Sequence, residues 1–193
     1  MAHGGIEVEI KLAVASAVAG RRLLREAGFR VIERRAFEAN TLFDTPDLRL
    51  MSGDSMLRVR EIRRTAKLTY KSAGETGRHK RREEIEVTLS DAGKFRSILE
   101  RMGFAPAFRY EKYRTEYRGQ GTGWAMLDET PIGVYLELEG SARWIDRTAR
   151  RLGFSELDYI TLSYGRLYLK WCEDHACKPG HMVFHRAERP QKY

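Results

Sequence analysis

Residues 6–12 read Ile6-Glu7-Val8-Glu9-Ile10-Lys11-Leu12, and the side chains change character at every step. Successive side chains of a strand point to opposite faces. Glu7, Glu9 and Lys11 therefore share one face, and Ile6, Val8, Ile10 and Leu12 share the other. The same alternation returns downstream. Arg58 and Arg60 oppose Leu57 and Val59, and Lys67, Thr69 and Lys71 oppose Leu68 and Tyr70. Arg82, Glu84 and Glu86 oppose Ile85, Val87 and Leu89, with Glu83 interrupting the apolar side. Lys112 and Arg114 oppose Tyr113 and Thr115, Asp128 opposes Leu127, and Glu137 and Glu139 oppose Val134, Leu136 and Leu138.

Alternation of this kind describes a half-buried antiparallel sheet with one face in water. Two features point to a second possibility. The polar faces are almost wholly ionic, and they recur as short pairs of one sign two residues apart. Like charges on one face repel, so each pair calls for something of opposite sign. Acidic pairs suit a hard divalent cation, which takes oxygen ligands. Basic pairs suit phosphate oxygens, for which Arg offers forked donors. A closed barrel with a polar interior would bring both sets to one space. The apolar strand faces would then point outward against helices, the inverse of a barrel filled by apolar side chains.

The rest of the chain is consistent with such a barrel. Strand-like runs cover residues 6–12, 31–42, 55–63, 66–72, 82–89, 110–118, 124–129 and 133–139. Turn signals at Thr45-Pro46-Asp47, Ser52-Gly53-Asp54, Ala73-Gly74 and 119–123 separate them, and the short gaps favour antiparallel hairpins. Amphipathic periodicity predicts helices over residues 13–27, 91–102, 142–152 and 161–173, with Ser90 and Ser141 as N-caps of the second and third. The first three end in Gly28-Phe29, Gly103-Phe104 and Gly153-Phe154, where Gly supplies a left-handed cap and Phe folds back on the last turn. No internal linker marks a boundary. Residues 1–177 read as one domain, and residues 178–193 as a basic, irregular tail expected to be partly mobile.

Composition narrows the partners. In 193 residues, 35 Lys and Arg stand against 27 Asp and Glu, a net charge of +8 that favours an anionic ligand. The many acids beside the bases, and the lack of exposed aromatics interleaved with them, argue against nucleic acid. The chain has no apolar run of membrane-spanning length and no signal-peptide run, so a cytoplasmic protein without a membrane partner is expected. Cys172 and Cys177 are too close to form a disulfide framework and suit a reducing compartment.

Taken in order, the ionic pairs resemble a known family. Glu7-x-Glu9-x-Lys11 resembles the ExExK hallmark of the CYTH superfamily, the triphosphate tunnel metalloenzymes. Phe43-Asp44-Thr45-Pro46-Asp47 followed by Leu57-Arg58-Val59-Arg60 is similar to the family's FDTxD and LRxR segment, and Leu68-Thr69-Tyr70-Lys71 to its LTxK. Arg82-Glu83-Glu84-Ile85-Glu86 looks like its RxExE strand, Lys112-Tyr113-Arg114 like KxR, Asp128 like its lone aspartate, and Glu137-Leu138-Glu139 like its late ExE. Ser163-Tyr164 resembles the pair that opens the C-terminal helix. The resemblance covers about residues 5–171 and implies an α+β fold, a closed eight-stranded antiparallel barrel with helices packed outside.

It also implies roles. Lys11, Arg58, Arg60, Lys71, Lys112 and Arg114 would hold a triphosphate, with Arg82 beside them. Glu7, Glu9, Asp128, Glu137 and Glu139, with Glu84 and Glu86, would hold one or two Mg²⁺ or Mn²⁺ ions. Glu7, Glu9, Lys11 and Lys71 would act in the chemistry. Family members hydrolyse inorganic or thiamine triphosphate, or cyclise ATP to cyclic AMP and pyrophosphate. The spacing from FDTPD to LRVR, and the absence of the HF motif of the class IV cyclases, favour a triphosphatase acting on inorganic triphosphate. A cyclase, or a non-catalytic polyphosphate or nucleotide sensor, is the alternative. The protein is expected as a monomer or homodimer. Cys172, His175, Cys177, His181 and His185 include enough ligand types for zinc, but their spacing is not standard and the family has no counterpart.

Overall fold

The computed structural model describes residues 3–75 and 77–185. In chain order the elements are β1 (His3–Val14), α1 (Ala17–Glu26), β2 (Arg30–Asp44), α2 (Arg49–Ser52), β3 (Met56–Ile62), β4 (Thr65–Lys71) and β5 (Lys80–Leu89). They continue with α3 (Ala92–Arg101), β6 (Ala105–Arg118), β7 (Trp124–Thr130), β8 (Gly133–Glu139), α4 (Ala142–Arg151) and α5 (Tyr164–Asp174). The eight strands close into a barrel in the order β1-β5-β4-β3-β2-β6-β7-β8. Every neighbouring pair is antiparallel. The α+β architecture expected from alternation and resemblance is the one observed.

The hydrophobic core lies between the barrel and its helices, not inside the barrel. Ile10, Leu12, Leu127, Leu136 and Leu138 leave the outer faces of β1, β7 and β8 and meet Leu24 of α1 and Ile145 and Ala149 of α4. Burying each such side chain contributes roughly 1.5–3 kcal/mol. Leu99 of α3 covers Phe43 and Val59, and Tyr164 and Leu167 of α5 pack with Phe108, Tyr110 and Met182. Each cluster joins one stretch of wall to one or two helices, and the lumen is lined by the ionic rows together with a few apolar side chains such as Trp124 and Met126 of β7. One stretch is bare: Ile85 and Val87 on β5 are 42% and 46% exposed. The expectation that all apolar strand faces lie under helices fails there: among the described residues neither side chain joins a cluster with a helix, although Leu89 at the end of the same strand packs with α3.

Local chemistry sets the helix bounds. Ser16, Asp91, Ser141 and Ser163 each accept a hydrogen bond from a backbone N–H of the first turn. The second of these corrects the expected Ser90 cap, and β1 keeps residues 13 and 14, where the periodicity predicts helix. All three Gly-Phe endings form the expected cap. Gly28, Gly103 and Gly153 have φ of 73°, 88° and 89°. The following Phe N–H bonds back to Leu24, Leu99 and Ala149 at 2.9–3.0 Å. The described part of the tail, residues 178–185, has no regular structure but is laid on β6. Glu111 N donates to Met182 O at 2.8 Å, Met182 N donates to Arg109 O at 3.0 Å, and the Met182 side chain is buried. Residues 186–193 lie outside the described residues. No helix among the described residues is long and apolar enough to cross a membrane.

Candidate active site: a charged tunnel

Register across the closing seam decides what the tunnel contains. In the β1–β8 pair, Glu9 faces Glu139 and Lys11 faces Glu137. Side chains of directly opposed residues share a face, with Cβ atoms about 4.5–5.5 Å apart. The first and last acidic pairs of the sequence thus become neighbours. On the other side of β1, Glu7 faces Arg82 and Glu9 faces Lys80 of β5. The inward rows surround a cavity of about 900 Å³.

The charges interlock around it. Lys71 lies 2.6 Å from Glu7 and 3.2 Å from Glu84. Arg82 reaches Glu7 at 3.3 Å and Glu9 at 3.6 Å. Lys11 sits between Glu9 at 3.1 Å and Glu137 at 3.4 Å. Arg114 bridges Glu137 at 2.8 Å and Asp128 at 2.6 Å, and Lys112 meets Asp128 at 2.9 Å. Arg58 donates to Tyr110 Oη at 3.1 Å and to Thr69 Oγ1 at 3.2 Å, and lies 3.9 Å from Glu84. Arg60 and Lys67 hold Glu86 at 2.5 and 2.7 Å. The repelling like-charge pairs read in the sequence are thus met first by the protein's own opposite charges.

Burial alone would neutralise these groups, but the pairing prevents it. Burial opposes charge on Glu137 and Asp128, yet Arg114 and its neighbours hold both carboxyls below the usual carboxylate range. Burial likewise works against Lys11, and Glu9 and Glu137 hold its ammonium above the usual range. Glu86 is brought down to about 2 against burial, by Arg60 and Lys67. Glu139 goes the other way: burial first, then Glu7 and Glu137, push it up to about 7. No cation lies within 4.0 Å of it among the described residues.

All the site residues expected from the sequence except Asp128 line the cavity, but not in one group. Glu7, Glu9, Glu137 and Glu139 form one acidic seam on β1 and β8, whereas Glu84 and Glu86 are enclosed among cations of β3 and β4. Asp128 is 0% exposed, and its oxygens are taken by Arg114, Lys112 and the Tyr164 hydroxyl, which donates at 2.6 Å. It organises the wall from behind.

Further residues join the inner wall beside the site residues expected from the sequence, among them Glu38, Lys80, Tyr110 and, from α5 rather than a strand, Tyr164. Glu38 of β2 is 2% exposed and faces Lys112 in register; burial opposes its charge, but Lys112, Arg114 and Arg60 hold it ionised. Lys80 precedes Arg82 by two and extends its row, but the strand had been started at Arg82. Tyr110 and Tyr164 complete the inner wall through their hydroxyls. The same period of two would have found Lys80 and Tyr110. Nothing local marks Glu38, because register shifts between Val31, Glu33 and Ala36 upset the parity of β2.

Cys172 and Cys177 lie against each other, but the C-terminal histidines do not join them. Among the described residues no group of three or more His, Cys, Asp or Glu forms a metal cage. His175 stacks on Trp171 at 4.2 Å, and His181 accepts from Arg109 N at 3.3 Å.

Comparison with known proteins agrees with this geometry. The family model described as CYTH domain matches residues 5–164. A protein of Methanocaldococcus jannaschii named "putative adenylate cyclase" is 32% identical over 136 residues, covering 70% of this chain and 77% of that protein. The solved PH1819 protein of Pyrococcus horikoshii superposes with a TM-score of 0.74 at 25% identity, covering 85% of this chain and 98% of that one. A Hippeastrum protein, described as a "putative adenylyl cyclase" with a dominant triphosphatase activity, shares the fold at a TM-score of 0.58 and 18% identity, over 90% and 97% of the two chains.

Proposed function

The chain belongs to the CYTH domain family, and from that premise we propose that it binds a triphosphate in the tunnel and hydrolyses it, with inorganic triphosphate as substrate. One observation carries the reading: cations from β1, β3, β4, β5 and β6 and carboxylates from β1 and β8 line one cavity inside the barrel. Arg58, Arg60, Lys71, Arg82, Lys112 and Arg114 would exchange carboxylate partners for phosphate oxygens. Fixed cations of this kind disperse the charge that builds on a transferring phosphoryl group. Lys11, held between Glu9 and Glu137, would serve the same chain from the acidic side. Tyr164 and Asp128 would keep Lys112 and Arg114 aimed inward.

The acidic seam suits a hard cation. Glu7, Glu9, Glu137 and Glu139 offer only oxygens, as Mg²⁺ or Mn²⁺ requires. The raised Glu139 carboxyl marks a local surplus of negative charge that a cation would relieve. These four residues would hold the ion. When bound, it would polarise phosphoryl oxygens and lower the pKa of water.

The test is phosphate release from inorganic triphosphate with Mg²⁺ and with Mn²⁺. Wild type should turn it over, and Glu9→Ala or Glu137→Ala should abolish turnover while triphosphate still binds. The name of the archaeal relative favours a second reading, cyclisation of ATP. Cyclic AMP and pyrophosphate formed from ATP would replace the first reading with that one. Tight binding with no turnover of any triphosphate would make the protein a sensor. The same fold supports a dominant triphosphatase activity in the Hippeastrum protein.

A further inference from the structure

Lys80 opens β5 and begins the inward row Lys80, Arg82, Glu84, Glu86. It is 7% exposed and lines the cavity. Its stem passes close to Gly74, where an added Cβ would stand 3.4 Å from Lys80 Cε and 3.5 Å from Asp54 Oδ2. Every other inward cation named above has a carboxylate oxygen within 4.0 Å. Among the described residues Lys80 has none. A buried charge is costly unless it is paired. Burial first, and then Arg82 and Lys11, press against its ammonium, and the pulls of Glu9 and Asp54, neither within 4.0 Å, are too weak to offset them.

We infer that Lys80 is a binding residue for an oxygen of the substrate's phosphate chain, at a position outside the family motifs quoted above. The inference rests on the triphosphate reading of the tunnel. Its weight follows from the geometry. Arg58, Lys71, Arg82, Lys112 and Arg114 must each loosen a carboxylate to meet phosphate, and that loss offsets part of the gain. Lys80 has no such partner to give up. It should therefore contribute more to affinity than its neighbours and nothing to the stability of the free protein.

The experiment is titration of the full chain with inorganic triphosphate by calorimetry, beside thermal melts, for wild type, K80M, K80R and R58M. K80M should weaken binding roughly tenfold to a hundredfold, the range of one hydrogen bond to a charged group. Its Tm should stay level or rise, and K80R should recover most of the affinity. The inference is overturned if K80M binds as wild type does while R58M is weakened. It is also overturned if K80M lowers Tm and K80R fails to restore binding, because the lysine is then structural. If R58M too binds like wild type, the triphosphate reading itself falls, and the assignment of Lys80 falls with it.

Discussion

Glu139 gives the tunnel a pH dependence of unusual sign. Its folded pKa stands near 7 against an ordinary 4.5, raised by burial, Glu7 and Glu137. Between those values the folded chain holds a proton that the unfolded chain has released. Stability then falls as pH rises, because its slope follows the protons bound unfolded minus those bound folded. The contribution is whole below about 4.5 and lost as pH passes through about 7. A shift of that size corresponds to at most about 3.4 kcal/mol at 1.36 kcal/mol per unit, and solvent reaching the tunnel reduces it to about 2. For a chain of this length, about 2 kcal/mol moves Tm by roughly 4–8 °C. Glu139→Gln removes the titration and keeps the neutral shape. In buffers with EDTA, wild type should lose that much Tm between pH 5 and pH 8 relative to the Gln variant. The Gln variant should be the more stable protein at pH 8. With Mg²⁺ added at pH 8, wild type should gain more than the variant. Parallel melting curves for the two proteins across pH 5–8 would refute the argument, since Glu139 would then feel no excess of carboxylates.

Asp128→Ala should destabilise the fold by about 3–5 kcal/mol in a urea melt, the cost of breaking a buried ion pair from one side, because Lys112, Arg114 and Tyr164 all converge on that carboxylate. Glu86 titrates with the opposite sign to Glu139: its pKa is lowered to about 2, so its stabilisation is present above about 4.5 and is lost as pH falls through about 2. Glu86→Gln should flatten the acid limb of the stability curve by about 1–2 kcal/mol once solvent exposure is allowed for, and an unchanged acid limb would show that Arg60 and Lys67 do not hold it.

Much of this was legible because the period of two is a local signal. Glu7, Arg58, Lys112 and Glu137 each declare their face through the two or three residues beside them. The Gly-Phe helix endings are equally local, since one glycine and one aromatic suffice to form the cap. What stayed hidden depends on partners far away in the chain. That β1 lies between β5 and β8, with Glu9 opposite both Lys80 and Glu139, is a matter of register, which no single strand specifies. Nor could the sequence show that Glu7 is held by Lys71 and Arg82, 64 and 75 residues away. Glu38 was lost because the irregular pairing of β2 hides its parity, and the bare outer face of β5 because helix placement is a tertiary choice.

The nearly complete matching of charges raises the question of why such a tunnel should bind anything. Two groups bear on it, because among the described residues neither is matched by an opposite charge within 4.0 Å. Lys80 is a cation without a carboxylate, and Glu139 is a carboxyl with too many. They face the same residue, Glu9, from opposite sides, Lys80 across the β1–β5 seam and Glu139 across the β1–β8 seam. With each step between opposed Cβ atoms near 5 Å, their stems start about 10 Å apart. Glu9 and its cations Lys11 and Arg82 occupy the ground between them, so neither unmatched charge can satisfy the other. An anion alone would answer Lys80 and deepen the surplus at Glu139, and a cation alone would do the reverse. A ligand of both signs, phosphate on the β5 side and a divalent ion on the β8 side, settles both at once. On the proposed triphosphatase reading, the reactive end of the tunnel would lie around Glu9.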